Sequence, residues 1–231
     1  MSAGPAVRRL QQVPGLVISP GVTVRDMLTA DDGCHGLHQR RLGLTAGARL
    51  AGTAGGRGEA WYVITGTASL DTERTGPIAL APGTAVWLEP GLGYACVPDD
   101  ALEVLAVTLR AGDACAGPSR PVVRPADCEP EITGDREFRV LLSEGLTFTQ
   151  FAGMIPPGRA PAHHHTYDEV VHVLAGQGVV HLDGAETPIG PGTSIYLPPL
   201  TPHCLENTGT EPLRVLGVFH PAGSPAAKQT C

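Results

Sequence analysis

A cluster of histidines around residue 163 carries the side chains that first-row transition metals prefer. His163, His164 and His165 are consecutive, Glu169 follows, and His203 ends a proline-rich turn. In an extended segment residues i and i+2 face the same side, so His163 and His165 point together and His164 points away. Glu169 keeps that parity, and His203 can approach from a neighbouring strand. Three imidazoles and a carboxylate form a nitrogen and oxygen set suited to Fe, Mn, Co, Ni, Cu or Zn.

Two ordinary interpretations compete with a metal site. Consecutive histidines also occur in solvated loops, and buried histidines are often satisfied by hydrogen bonds.

A six-coordinate ion held by four side chains would keep two positions open for substrate, water or dioxygen. We predict one divalent transition metal bound by His163, His165, Glu169 and His203, with Glu169 also the candidate catalytic residue.

The spacing of these residues resembles the two sequence motifs of the cupin superfamily. The motifs are matched by Gly158-x4-His163-x-His165-x3-Glu169-x6-Gly176 and by Gly192-x5-Pro198-x-Leu200-x2-His203-x3-Asn207. The family pattern has glycine at Leu200 and one more residue before the first histidine, and neither departure touches a candidate ligand. The resemblance implies a small β-barrel with the four candidate ligands around a metal inside it.

Internal repetition indicates that the chain contains this unit twice. PGTSIYLPP, from Pro191, and PGTAVWLEP, from Pro82, both begin with Pro-Gly-Thr and carry an aromatic residue in a short strand. Glu169 followed by VVHVLAG matches Glu59 followed by AWYVITG, about 110 residues earlier. The chain therefore resembles a bicupin.

The first copy lacks most of the candidate ligands. In the repeat alignment Gly52 and Ala54 stand at the two histidine positions, Tyr94 replaces His203, and Glu59 alone remains. One carboxylate is too few for a transition metal, so the N-terminal copy is predicted to be metal-free. Packing, dimerisation or ligand binding are its expected roles.

Composition favours short strands joined by turns. The chain has 30 glycines, 22 prolines and only 17 % charged residues, and its apolar segments are short and rich in β-branched residues. We predict an all-β protein of two tandem cupin barrels of the double-stranded β-helix or jelly-roll type. The N-terminal barrel with its arm is predicted over residues 1–112, a proline-rich linker over 113–135, and the C-terminal metal-binding barrel with a short tail over 136–231.

Charge and hydropathy restrict the partners. Sixteen basic residues against 23 acidic ones give a net charge of −7 without a basic patch, which argues against nucleic acid. No apolar run approaches the length of a membrane span.

The N-terminus has no secretory signal and the six cysteines lack C-x-x-C spacing, so free thiols and a cytoplasmic location are expected. A small-molecule substrate is the expected partner, and a homodimer that covers the sheet edges is a hypothesis.

Strand parity also predicts the surroundings of the metal. Val171 and Val173 share the face of Glu169, and Leu205 shares that of His203, so an aliphatic wall is expected. Arg139, in the strand EFRVLL, is the candidate partner for an anionic group of the substrate. A metal beside an apolar wall suits a small molecule that chelates through an enol, catechol or hydroxy-acid group.

The predicted function is that of a metal-dependent bicupin acting on such a molecule. A dioxygenase-type oxidoreductase leads, because many cupins with three histidines and one glutamate are dioxygenases. One alternative is a non-redox Lewis-acid isomerase, lyase or cyclase. The other is a non-catalytic cupin that binds a small ligand; no segment has the helical periodicity of an attached helix-turn-helix regulator.

Overall fold

The computed structural model describes residues 4–110 and 117–225 and the backbone of residues 229–230. These residues form β-strands and three short 3-10 helices, and the prediction of an all-β protein is confirmed. None of the described helices has the length and hydropathy needed to span a membrane. Cysteines 34, 96, 128 and 204 are free thiols, whereas Cys115 and Cys231 lie outside the described residues.

The strands of the first half are short and separated by turns. 3-10 helices lie at Leu10–Gln12 and Ala30–Asp32. The strands are β1 (Ala6–Arg9), β2 (Leu16–Ser19), β3 (Val22–Leu28), β4 (Leu37–Leu44), β5 (Leu50–Thr53), β6 (Glu59–Thr65), β7 (Ala68–Thr72), β8 (Ile78–Leu80), β9 (Ala85–Leu88), β10 (Gly93–Pro98), β11 (Leu102–Leu109) and β12 (Val122–Val123).

The second half follows the third 3-10 helix, at Pro125–Asp127. Its strands are β13 (Glu131–Thr133), β14 (Arg136–Leu142), β15 (Thr149–Ile155), β16 (Gly158–Arg159), β17 (His163–His164), β18 (Asp168–Ala175), β19 (Gly178–Leu182), β20 (Ala185–Ile189), β21 (Thr193–Leu197), β22 (His203–Asn207), β23 (Leu213–His220) and β24 (Gln229–Thr230).

The strands assemble into two sandwiches, each of two sheets. The N-terminal sandwich combines a seven-stranded sheet, in the order β12-β9-β6-β11-β4-β3-β2, with the four-stranded sheet β5-β10-β7-β8. The C-terminal sandwich combines the seven-stranded sheet β1-β21-β18-β23-β15-β14-β13 with a six-stranded sheet, β20-β19-β22-β17-β24, in which β16 also pairs with β22. The sheets are open at their edges, so they form jelly-roll sandwiches rather than closed barrels.

One short strand crosses to the other sandwich, and a second joins the N-terminal sandwich from the predicted linker. β1, from the N-terminal arm, pairs with β21 of the C-terminal sandwich, with Ala6 opposite Tyr196. β12, from the predicted linker, pairs with β9 of the N-terminal sandwich, with Val122 opposite Val86. The boundary predicted at residue 112 lies outside the described residues, and the division of the chain into two domains and a linker stays a prediction.

The two seven-stranded sheets pack against each other through an extensive apolar core. Trp87 of β9 and Phe148, just before β15, meet there with ring centroids 5.3 Å apart. Val170 of β18 joins this core, whereas its neighbour Val171 points into the C-terminal sandwich. Because both faces of β18 are buried, its sequence reads as a nearly continuous apolar run instead of an alternating one.

A polar contact also crosses this interface between the sheets. Nη1 of Arg41 donates to Nε2 of His172 at 3.1 Å, and Nδ1 of His172 donates to Oγ of Ser194 at 2.8 Å. Arg41 also forms an ion pair with Glu103. Burial, together with the charge of Arg41, lowers the pKa of His172 to about 3. His172 is therefore a neutral structural histidine near pH 7.

The turn that follows β6 recurs after β18 with the same backbone constraint. Gly66 has a φ of +83° and Gly176 a φ of +86°. A Cβ atom would lie 2.3 Å from the carbonyl oxygen of Ala101 at Gly66, and 2.9 Å from Cα of Leu213 at Gly176. Only glycine combines this conformation with so close an approach of another backbone, which explains why both copies keep it.

Candidate metal centre

Three strands of the C-terminal sandwich bring the four candidate ligands together. His163 begins β17 and lies directly opposite His203 of β22 in antiparallel register. His165 follows β17, and Glu169 is the second residue of β18. All four are buried, with 5–7 % of their surface exposed. The side chains therefore face the interior of the sandwich.

The distances between these side chains suit a single ion. Ligand nitrogens of His163, His165 and His203 lie within 4.8 Å of one another. Oε2 of Glu169 is 3.5 Å from Nε2 of His165 and 3.8 Å from Nε2 of His203. Bonds of about 2.0–2.2 Å from one metal to nitrogen and oxygen ligands require similar separations.

Backbone carbonyls orient two of the histidines. Nδ1 of His163 donates to the carbonyl oxygen of Pro161 at 3.2 Å, and Nδ1 of His203 donates to that of Thr201 at 2.9 Å. Because a carbonyl oxygen only accepts, the proton lies on Nδ1 and Nε2 keeps its lone pair. Partners of this kind fix the orientation of metal-binding histidines and raise their basicity. The residues present therefore fit a divalent first-row transition ion.

Tyr167 supports His165 from the side. The two rings stack with centroids 4.9 Å apart and an angle of 11° between their planes. The hydroxyl of Tyr167 donates to the carbonyl oxygen of Ser224 at 3.1 Å, and burial raises the pKa of the phenol. Sequence reasoning missed Tyr167, although it has the same parity as His163, His165 and Glu169.

Leu200 shows why the motif of the cupin superfamily has glycine at this position. Its φ is +63°, in the left-handed region that favours glycine over leucine. Its backbone N–H donates to the carbonyl oxygen of His165 at 2.7 Å. The turn before His203 is thus tied directly to the segment that carries His165, and the side chain of Leu200 remains 62 % exposed.

A cavity of about 40 Å³ lies beside the four candidate ligands. This volume corresponds to roughly three water-sized groups, so a ligand must be small. Besides the candidate ligands, the described residues that line the cavity are one charged residue, Arg136, and the apolar residues Phe138, Phe151, Ile155, Val171, Leu197, Leu205, Val215, Phe219 and Pro225.

The predicted pocket residues divide into two groups. Val171 and Leu205 line the cavity, whereas Val173 lies in the adjoining apolar core. Arg139 lies outside the cavity and donates to the carbonyl oxygens of Pro125 and Cys128. β14 begins at Arg136 and successive side chains alternate, so Arg136 faces the cavity and Arg139 the opposite side. The candidate partner for an anionic group is therefore Arg136 and not Arg139.

The wall of the cavity is also more aromatic than predicted. The chain has four phenylalanines, and Phe138, Phe151 and Phe219 line the cavity. The rings of Phe151 and Phe219 lie 4.8 Å apart. The concentration of phenylalanine, a rare residue in this chain, in the C-terminal half is the sequence signal that could have indicated this aromatic wall.

The N-terminal sandwich keeps the geometry of the site without its histidines. Tyr94 lies directly opposite Gly52, in the register that joins His203 to His163. This agreement supports the alignment of the two copies at the site. Trp61 packs against Tyr94 with ring centroids 5.2 Å apart, so aromatic side chains occupy the corresponding interior.

Arg40 supplies the positive charge beside Glu59 in this sandwich. Glu59 is 3 % exposed and forms an ion pair with Arg40. Arg40 is the counterpart of Phe151 in the metal cavity. Arg40 lies opposite Ala106 on the neighbouring strand, and Phe151 lies opposite Gly217 on the equivalent strand of the other sandwich. A buried carboxylate needs a counter-charge, and here a guanidinium provides one.

We expect Glu59→Ala to leave the metal content of the protein unchanged, because the other positions equivalent to ligands are Gly52, Ala54 and Tyr94. The variant should lose stability, since it leaves Arg40 without its partner. Elemental analysis of purified protein and thermal unfolding measure the two effects. A fall in metal content would show that the N-terminal sandwich contributes to a metal site.

Comparison with solved structures shows the fold. The protein Ylba from E. coli superposes with a TM-score of 0.79 at 15 % identity, over 95 % of this chain and 92 % of that one. A mutant of oxalate decarboxylase OxdC from Bacillus subtilis superposes with a TM-score of 0.78 at 15 % identity, over 100 % of this chain and 80 % of that one. The jelly-roll architecture predicted for both halves is confirmed by these neighbours.

Sequence comparison shows the family. Residues 151–219 match the model of the cupin domain. An oxalate-binding protein of Thermotoga maritima is 33 % identical over 111 residues, which cover 42 % of this chain and 92 % of that protein. An uncharacterized protein of Methanocaldococcus jannaschii is 40 % identical over 58 residues, 25 % of this chain and 46 % of its own length. Because the Thermotoga protein is matched over almost its whole length, this chain belongs to the cupin superfamily.

Proposed function

We propose that the C-terminal sandwich is a mononuclear metal centre that acts on a small chelating organic molecule, and that the reaction is an oxidation of the dioxygenase type. The convergence of His163, His165, Glu169 and His203 on one small cavity carries this proposal. A divalent transition ion bound there would supply redox or Lewis-acid chemistry at the positions that the four side chains leave open.

The chain itself contributes orientation and a dry environment. The carbonyls of Pro161 and Thr201 keep His163 and His203 in the tautomer that binds a metal. Phe138, Phe151 and Phe219 cover the cavity with apolar surface, which excludes bulk water from a bound substrate. A small substrate would lie against these rings with its chelating end toward the four candidate ligands.

The lining of the cavity favours oxidation over the Lewis-acid alternatives. Isomerase, lyase or cyclase chemistry through an enolate needs a positioned general base that moves a proton. Among the described residues that line the cavity, the candidate ligands are the only ones with a carboxylate, imidazole, phenol, thiol or amine. An oxidation that depends on the electronic properties of the metal does not need a separate general base.

A non-catalytic function in ligand binding is the second candidate. The relative from Thermotoga maritima, 33 % identical, is named an oxalate-binding protein. Oxalate decarboxylase of Bacillus subtilis, which shares the fold, is described with Mn(II) centres. Both names favour a small dicarboxylate at this type of site, the second also favours a metal, and the first favours binding without turnover.

Oxygen consumption separates the two candidates. The protein is loaded with Fe(II) or Mn(II), its metal content is measured, and it is mixed with oxalate, lactate, catechol and acetylacetone in an oxygen electrode. We expect oxygen uptake with at least one of these compounds and none with Glu169→Ala. Saturable binding without uptake would favour the binding function, and turnover under anaerobic conditions would overturn the oxidation.

A further inference from the structure

Arg136 is a buried cation with little compensation from the protein. Its side chain is 9 % exposed, and burial lowers the pKa of the guanidinium. Nη2 donates to the carbonyl oxygen of Leu205 at 3.3 Å. Asp135, the acidic residue beside it, is 4.0 Å from Nε and its side chain is 75 % exposed, so water weakens this ion pair. A guanidinium has five N–H donors, and these contacts use few of them.

Arg136 also lies between two cavities. On one side it lines the small cavity of the candidate metal centre. On the other side it lines an outer cavity of about 310 Å³, which is also bordered by Arg159, Ala160 and Pro161. Ala160 and Pro161 belong to the segment that leads into His163. We call this outer cavity the vestibule; among the residues that the structure describes, Arg136 borders both it and the metal cavity.

The chemistry of this position favours an anion. The chain carries a net charge of −7, but the described lining of the vestibule has two arginines, Arg136 and Arg159, against one acidic residue, Asp135. A carboxylate accepts two parallel hydrogen bonds from a guanidinium, and such bonds are strong where water is excluded. A ligand carboxylate would therefore supply the acceptors and the counter-charge that the protein does not.

We propose that Arg136 binds the carboxylate of the substrate and draws it from the vestibule into the metal cavity. The substrate class is a small carboxylate with a second oxygen donor, such as a 2-hydroxy acid, a 2-oxo acid or a dicarboxylate. One end lies on Arg136 and the other faces the candidate ligands. This assignment rests on the proposed metal centre and names the substrate class for it.

Arg136→Gln and Arg139→Gln form a matched pair of variants on β14. Both remove one guanidinium, but the side chain of Arg139 lies outside the cavity and contacts backbone carbonyls. Calorimetric titration of the Mn(II)-loaded proteins uses two probes, oxalate and acetohydroxamic acid, a chelator without a carboxylate. Metal content and thermal unfolding are measured for each protein.

We expect Arg136→Gln to weaken oxalate binding by about 10- to 100-fold, the loss expected for a charge-assisted pair of hydrogen bonds. Its affinity for acetohydroxamic acid should change by less than about twofold, and Arg139→Gln should leave both affinities unchanged. Arg136→Lys keeps the charge without the paired geometry and should recover part of the oxalate affinity. If Arg136→Gln fails to fold, Arg136→Lys carries the comparison.

Two results would overturn the assignment of Arg136. One is an equal oxalate affinity in the wild type and the Arg136 variants, and the other is a wild type that binds acetohydroxamic acid but not oxalate. A wild type that takes up no metal would instead refute the metal centre itself. The failure of the two proposals is therefore distinguishable by the metal content.

Discussion

His203→Ala protein is expected to lose more than about 100-fold in metal affinity. Even the hydrogen-bond partner of a metal-binding histidine contributes about 10- to 100-fold, and a direct ligand contributes more. His203 approaches the site from β22, opposite His163, and the next residue on the same face of that strand is Leu205, which has no ligand atom. Elemental analysis and titration with Mn(II) or Zn(II) measure the loss.

His164→Ala is the matched control for this loss. His164 stands between His163 and His165, but the alternation of an extended strand turns its side chain to the other face. We expect the His164 variant to keep the metal content of the wild type. Equal losses in the two variants, or full metal content in His203→Ala, would contradict the assigned ligand set.

Lowering the pH from 6.5 to 4.5 should narrow the stability difference between the wild type and His172→Gln by about 2–3 kcal/mol. His172 has a pKa of about 3 in the folded protein and the ordinary value of 6.5 when unfolded. Between these values the unfolded chain binds a proton that the folded chain does not. The stabilisation is therefore complete above pH 6.5 and is lost progressively as the pH falls toward 3.

Urea unfolding of metal-free protein at several pH values measures this effect. Metal must be removed because protonation of the candidate ligands would add metal release to the same curve. His35→Gln, at an exposed histidine, is the control and should keep the slope of the wild type. Parallel curves for the wild type and His172→Gln would show that His172 is protonated equally in both states.

Local patterns in the sequence predicted the sheet architecture and the convergence of the candidate ligands. Gly176 and Gly66 mark equivalent turns because each has a positive φ and lies against another backbone. His163 and His165 share a face because the extended chain alternates, and His203 belongs to a second motif with its own turn. Features of this kind depend on spacing along one segment, which a sequence displays directly.

The remaining features depend on where a strand begins and on which sheet it meets. Arg136 and Arg139 differ in position only because β14 begins at Arg136, and nothing in EFRVLL itself determines that parity. The contact of Arg41 with His172 joins residues from different sandwiches, so neither segment predicts it alone. The ion pair of Arg40 with Glu59 is likewise not predictable, because the alignment of the two copies marks Glu59 only as the remnant of a ligand set.

The pairing of β1 with the C-terminal sandwich affects the order in which the protein can fold during synthesis. β1 (Ala6–Arg9) pairs with β21 (Thr193–Leu197), which leaves the ribosome roughly 10 to 40 seconds later at ordinary rates of translation. During that interval the N-terminal sandwich can fold, but β1 has no partner. The pairing of β1 with β21 therefore delays completion of the C-terminal sheet until the whole N-terminal sandwich has been synthesised.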